Sequence, residues 1–276
     1  MKKGTKYLIL LVVTFLLMEL SGIVFIFISY FLTAKSQGID YDTFRKSMLL
    51  LSYYYDNNVV ASIGTTAKQY FLDNPQLFNL GTLSYSLVQF LSYLPVFIVA
   101  GIFLWKDLIG DFKRFGKNIK RNIVVILLSY AALIYLGNIV SMIYGLAGDT
   151  GKSANEGLIN LLLIGKGKWL MIISVTLLAP LSEEIIFRKL IIDTTELKFR
   201  FKPWLAILVS ALIFSFIHVT DIASLKYIFQ YLALAIPICC AYHFSENNIV
   251  SSLIIHIINN TISVISTLAL GGMLIK

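Results

Sequence analysis

Residues 169–192 read WLMIISVTLLAPLSEEIIFRKLII, an apolar run of membrane-crossing length that nevertheless carries a proline, two adjacent glutamates and an arginine. A spanning helix needs roughly 20 predominantly apolar residues. Working outward, similar stretches occur at Tyr7–Leu32, Leu83–Trp105, Asn122–Leu146, Pro203–Val219, Leu225–His243 and Ile249–Leu270. The 276-residue chain is 58% hydrophobic and 14% charged, a balance foreign to a soluble domain of this size. The expected fold class is therefore all-α: a polytopic transmembrane helix bundle of about seven spans, within a range of six to eight.

Lys and Arg placement orients these spans, because short cytoplasmic loops carry the excess of both. Three basic clusters stand out: Lys2, Lys3 and Lys6; Lys106 through Arg121; and Arg188 through Lys202. Seven spans put all three on one side, with the N-terminus cytoplasmic. The first span has no convincing cleavage site after it and reads as a retained anchor. The net charge of +8 is thus mostly topological. It implies contact with the lipid bilayer and gives no reason to expect nucleic acid as a partner. Nothing resembles an organelle signal, so a multi-pass protein of a bacterial cytoplasmic membrane is expected.

Two regions are set apart from the spans. Near 34–82 lies a long extracytoplasmic connection, in which Phe44–Tyr55 reads as an amphipathic surface helix or part of a re-entrant element. Its Tyr53, Tyr54 and Tyr55, beside Asp56, Asn57 and Asn58, suit the headgroup level. A polar loop, Gly148–Gly157, precedes the short run Leu158–Ile164, which either extends the next helix or lies at the surface. Cys239 and Cys240, adjacent in an apolar run, fit neither a disulfide framework nor a spaced metal site. The expected division is 1–166 for N-terminal transmembrane helices and 167–276 for the chemically active core.

Ionisable residues within spans are costly and mark function by default. With Asn included they are Glu19, Glu183, Glu184, Arg188, His218, His256, Asn259 and Asn260, all but the first in the C-terminal half. From the cytoplasmic ends of their spans, Glu183 comes out roughly 15 Å deep, His218 about 22 Å and His256 about 11 Å. A carboxylate and two imidazoles from three helices thus reach a similar level, nearer the cytoplasmic half. Glu184 and Arg188, four apart, share a face and pair; Glu183 is turned about 100° away. Phe214 lies four before His218 and packs on it, while His256 and Asn260 point into one cavity. Asn259 turns elsewhere and suits an interhelical hydrogen bond; Glu19 stands alone, and His243 sits near Glu246 at a helix end. Pro180 removes a backbone hydrogen bond just before the acidic pair.

Glu183-Glu184-x-x-x-Arg188, Phe214-x-x-x-His218 and His256-x-x-x-Asn260, in this order on successive apolar helices, resemble the motifs of the CAAX protease and bacteriocin-processing family, also labelled CPBP or Abi, related to the type II CAAX prenyl endopeptidases. The likeness covers about Leu177 to Val264. It implies an intramembrane glutamate protease in which Glu183 and His218 activate a water and His256 and Asn260 stabilise the oxyanion. Glu184, Arg188 and Phe214 would support the site. The implied substrate is a peptide or membrane protein, with peptide-pheromone processing or bacteriocin processing and immunity as family-level roles.

Other readings compete. Glu183, His218 and His256 would also make a catalytic zinc set with an open position, although no His-Glu-x-x-His helix is present and Asn260 suits an oxyanion hole better. No metal or other cofactor is the preferred expectation. An aspartyl mechanism lacks its pair of intramembrane Asp residues, and Ser182 lacks a Gly-x-Ser-Gly setting. A non-catalytic scaffold regulating a partner such as a sensor kinase would use the same polar residues structurally. A carrier or channel would need more polar residues along the other helices.

Overall fold

The computed structural model describes residues 1–53, 61–149, 153–219 and 222–274. The tyrosine and asparagine cluster at 54–58 and the middle of the polar loop, 150–152, lie outside them. Among the described residues the fold is helical, with no strand. The helices are α1 (Lys3–Gln37), α2 (Tyr41–Tyr53), α3 (Ala61–Asp73), α4 (Pro75–Lys117), α5 (Ile119–Leu146), α6 (Ala154–Ile164), α7 (Lys168–Leu197), α8 (Pro203–Ile217), α9 (Ser224–Phe244) and α10 (Ile249–Leu274).

Helices α1, α4, α5, α7, α9 and α10 are long and apolar enough to cross a membrane. α8 has 15 residues, about 22 Å against a hydrocarbon core of about 30 Å. α8 alone thus falls short of the expected seventh span. At the start of α9, Lys226 Nζ lies 2.6 Å from Asp149 Oδ2, just past the C-terminal end of α5. At the opposite end Arg121, opening α5, pairs with Glu246 in the α9–α10 turn. Lys226 and Glu246, at the two ends of α9, thus lie at opposite ends of α5.

Exposed apolar side chains line α1 and α5, including Leu16, Leu20, Ile23, Leu127, Leu128 and Tyr135. Only 11% of the most apolar window of each is buried, against 50% for α7. α7 is accordingly the axis of the bundle, clad by α1, α4, α8 and α10. Gly4 lets α1 meet the end of α7 closely: a Cβ there would stand 2.8 Å from the Lys198 nitrogen. α1 ends at Gly38, whose φ of 64° suits the left-handed capping position.

The outer connections are more structured than a loop. α2 is amphipathic, as read from the sequence: Phe44, Met48 and Leu51 recur on one face and are buried with Ala34, Leu80 and Leu161. The run Leu158–Ile164 neither extends the next helix nor lies free on the surface. It belongs to α6, capped by Ser153 Oγ accepting the Glu156 N–H at 3.2 Å, and Leu161, Leu162 and Leu163 are buried. The turn from α6 to α7 presses on α4, where a Cβ at Gly165 would lie 2.5 Å from Thr82 Cβ. Helix starts and ends shift too, α4 beginning at Pro75 and α7 running on to Leu197. Proline supplies the N-terminal residue of both α4 and α8, where its missing N–H costs no helical bond.

Candidate functional site

α7 is not a regular α-helix around its polar residues. Wide π-type turns occupy Ser174–Leu178 and Glu184–Ile192, flanking the short α-helical piece Ala179–Glu183. In the first wide turn the Ala179 N–H bonds the Ser174 carbonyl, five residues back. The next such bond would run from residue 180 to Val175, but Pro180 has no N–H. Asn260 on α10 supplies the donor, its Nδ2 bonding the Val175 carbonyl at 3.0 Å. π-type insertions re-aim the side chains that follow them, and Glu183 and Glu184 follow directly.

The two glutamates then diverge. Glu184 is fully buried, with Oε2 3.2 Å from Arg188 Nε and Oε1 accepting a 2.9 Å hydrogen bond from His256 Nδ1. Arg188, also fully buried, presents its guanidinium to the Phe214 ring 5.2 Å away. The opposite face of the arrangement is His218, stacked 4.3 Å from the same Phe214 ring at 29°. Phe214 thus touches both Arg188 and the His218 imidazole, as its four-residue spacing from His218 led us to expect.

Glu183 keeps 18% of its side chain exposed and stands between two imidazoles: Oε1 is 4.0 Å from His218 Nε2, and Oε2 is 3.5 Å from His256 Nε2. His218 ends α8, and its Nδ1 lies 2.7 Å from the Phe214 carbonyl. A carbonyl only accepts, so Nδ1 carries the proton, and a neutral His218 offers its Nε2 lone pair to the space beside Glu183. On α10, one turn links His256 to Asn260, and Asn259 Nδ2 bonds Asn260 Oδ1 at 3.4 Å. Asn259 thus bonds its neighbour, and it lines the same cavity as Asn260 instead of turning elsewhere.

Glu183, His218, His256 and Asn260 all line one cavity of about 460 Å³. Its wall also takes residues from the first half of the chain, including Phe15, Gln89 and Tyr93, and from α9, Tyr231. Sequence reasoning missed these: an aromatic or Gln at a helix interface carries no charge anomaly to single it out. The bond from Glu184 to His256 was missed as well, since it joins residues 72 apart. Glu19 is exposed on α1, while Phe15 and Met18 of that helix face the cavity. His243 approaches Glu196 at 3.8 Å, and Glu246 is taken by Arg121. Cys239 is buried with its thiol near Ser210.

A metal ion needs ligands converging on one point. Among the described residues no three His, Cys, Asp or Glu side chains do so. His218 and His256 address different oxygens of Glu183.

Residues 165–262 match the family described as type II CAAX prenyl endopeptidase Rce1-like. The match begins in the turn before α7, ends within α10 and contains every residue of the Glu183 cluster named above. No curated protein and no solved structure matches the chain. At a general level the match supports an intramembrane CAAX-type endopeptidase with a peptide or protein substrate, and together with the apolar helices it supports a multi-pass membrane protein.

Proposed function

We propose that the protein is a glutamate endopeptidase that hydrolyses a peptide bond of a peptide or membrane protein within a bacterial cytoplasmic membrane. The observation that carries this reading is the 4.0 Å gap between Glu183 Oε1 and His218 Nε2, with His218 Nδ1 committed to the Phe214 carbonyl. Two hydrogen bonds of about 2.8 Å leaving one water oxygen at about 90° end about 4.0 Å apart. A water seated there donates one proton toward His218 and the other toward Glu183.

Chemically, Glu183 takes a proton from that water as its oxygen attacks the scissile carbonyl. The carbonyl π bond opens onto its oxygen, giving a tetrahedral oxyanion. When the C–N bond breaks, the electron pair goes to nitrogen and Glu183 returns the proton to the leaving amine. The developing charge is met by the remaining N–H of Asn260 and, in its protonated form, by His256 Nε2–H. Donors of this kind are typically worth about 10²–10³ in rate. Glu184 and Arg188 hold His256 and Phe214 in register. This scheme uses no metal step, and cleavage of a peptide-pheromone precursor or a bacteriocin-like leader is the biological role that the family resemblance implies.

The test compares membrane and secreted peptide termini in cells carrying the intact protein, Glu183→Gln or His218→Ala, at matched protein levels. Termini that vanish in both variants are the expected result. Unchanged termini, with a phenotype that needs the protein but not Glu183, would overturn the reading in favour of a non-catalytic scaffold for a partner such as a sensor kinase.

A further inference from the structure

α4 is 43 residues long, a contour of about 64 Å against a hydrocarbon core of about 30 Å. Its last part, Trp105–Lys117, follows the wide π-type turn Ala100–Leu104 and carries charges at Lys106, Asp107, Asp111, Lys113, Arg114 and Lys117. Charge of that density belongs at the level of the lipid headgroups and not among acyl chains. Yet Trp105, Ile109 and Phe112 in the same stretch are 48%, 44% and 57% exposed. At about 100° per residue the three fall within about 60° of one another and form an apolar stripe.

Beside the stripe runs a row of lysines. Lys106, Lys113 and Lys117 are exposed, lie within about 40° of one another and stand about 90° round the helix from the stripe. Lys106 Nζ is 5.5 Å from the Trp105 ring, which sets a cation at the edge of the apolar face. The two acids of this stretch are taken by other cations. Lys3 and Lys6 approach Asp107 at 3.6 and 3.8 Å, while Arg114 and Lys189 hold Asp111. Among the described residues the lysine row therefore has no carboxylate partner.

We propose that this face of α4 is a binding site for anionic phospholipid, with acyl chains on Trp105, Ile109 and Phe112 and the phosphate group held by Lys106, Lys113 and Lys117. Lysine stems lie along apolar surface and carry their ammonium groups to the headgroup level. A choline headgroup brings a cation along with its phosphate and gains little from three lysines. A glycerol headgroup leaves the phosphate charge uncompensated, and each lysine near it favours the anionic lipid by about fivefold. An acidic protein surface would meet the lysines but not the apolar stripe beside them; a lipid answers both. The inference does not rest on the protease reading.

Trp105 reports on its own site. Full-length protein carrying Trp169→Phe and Trp204→Phe keeps it as the sole tryptophan of three. This protein is reconstituted in equimolar phosphatidylcholine and phosphatidylglycerol, with bromine on the acyl chains of one lipid or of the other. Bromine quenches tryptophan only on close approach, so the two quenching levels give the lipid exchange constant at the stripe. The expected constant favours phosphatidylglycerol by about fivefold or more and falls to about one when Lys106, Lys113 and Lys117 are all replaced by Gln. Replacement of all three by Arg should keep the preference, which separates lost charge from lost folding. Protein keeping Trp169 alone, with Lys168 5.7 Å from its ring but no lysine row, is the reference, and its preference should be smaller. Equal quenching by the two lipids at Trp105 overturns the site. So does a preference that the Gln variant retains, that the Arg variant loses, or that Trp169 matches. Quenching needs no turnover, so unchanged termini in Glu183→Gln cells would remove the protease reading and leave this one standing.

Discussion

Glu183 retains 18% exposure in the cavity, whereas Glu184, its neighbour in sequence, has none and is held by Arg188 and His256. Breaking a buried ion pair by deleting one partner leaves the other charge uncompensated and costs about 3–5 kcal/mol. Arg188→Ala should therefore lower the fraction of monodisperse protein recovered in detergent along with turnover. A fully stable but inactive Arg188→Ala protein would place Arg188 in the reaction itself. The pairing was legible in the sequence from the four-residue spacing. The second partner of Glu184 was not, because nothing along the chain relates residue 184 to residue 256. The carboxylate reading also makes a statement about metal: prolonged dialysis of the purified protein against strong chelators should leave cleavage unchanged. Loss of activity restored by zinc would reverse the assignment of Glu183 from base to ligand.

Among elements, α7 and α10 are joined by the His256–Glu184 bond and by a second one that reaches the backbone of α7. Pro180 leaves the Val175 carbonyl without its backbone donor, and Asn260 fills the gap at 3.0 Å. Asn260→Ala should cost about 1–3 kcal/mol, the usual penalty for an orphaned buried polar group. In a Pro180→Ala background the helix regains an N–H, so the same substitution should cost less. A thermal-unfolding double-mutant cycle measures the difference, and equal costs in both backgrounds would show that the bond to Val175 does not carry the coupling. The sequence marked Pro180 as a source of local distortion from the chemistry of proline alone. It did not locate the repair, since the donor comes from a different helix. The shortness of α8 was equally hidden: residues 203–217 are apolar but for Ser210 and Ser215, and apolarity does not record where a helix stops and hands His218 to the cavity.

Across the whole molecule, buried Lys189 has Asp111 2.9 Å and Asp193 3.7 Å from its Nζ, which ties α4 to α7. Asp111→Ala should destabilise the protein by about 3–5 kcal/mol, because Lys189 would keep its charge in a dry site. Asp111→Ala combined with Lys189→Met should recover most of that loss in a detergent melting assay, and a double variant no more stable than the single one would refute the pairing. By itself the sequence determined that this is a helical membrane protein, which end of each helix carries the basic residues, and which few polar side chains lie within the spans, though not that Glu19 alone of the ionisable ones among them is exposed. Helix length, side-chain period and loop charge are local properties, and the bilayer acts on each segment separately. Only the tertiary structure decided which helices are neighbours, that Phe15 and Tyr93 from the first half complete the cavity, and that Glu184 binds His256. Those features depend on contacts between segments far apart in the chain. The apolar faces of such helices are chemically alike, so shape, close approach and a handful of buried polar bonds choose among the possible pairings.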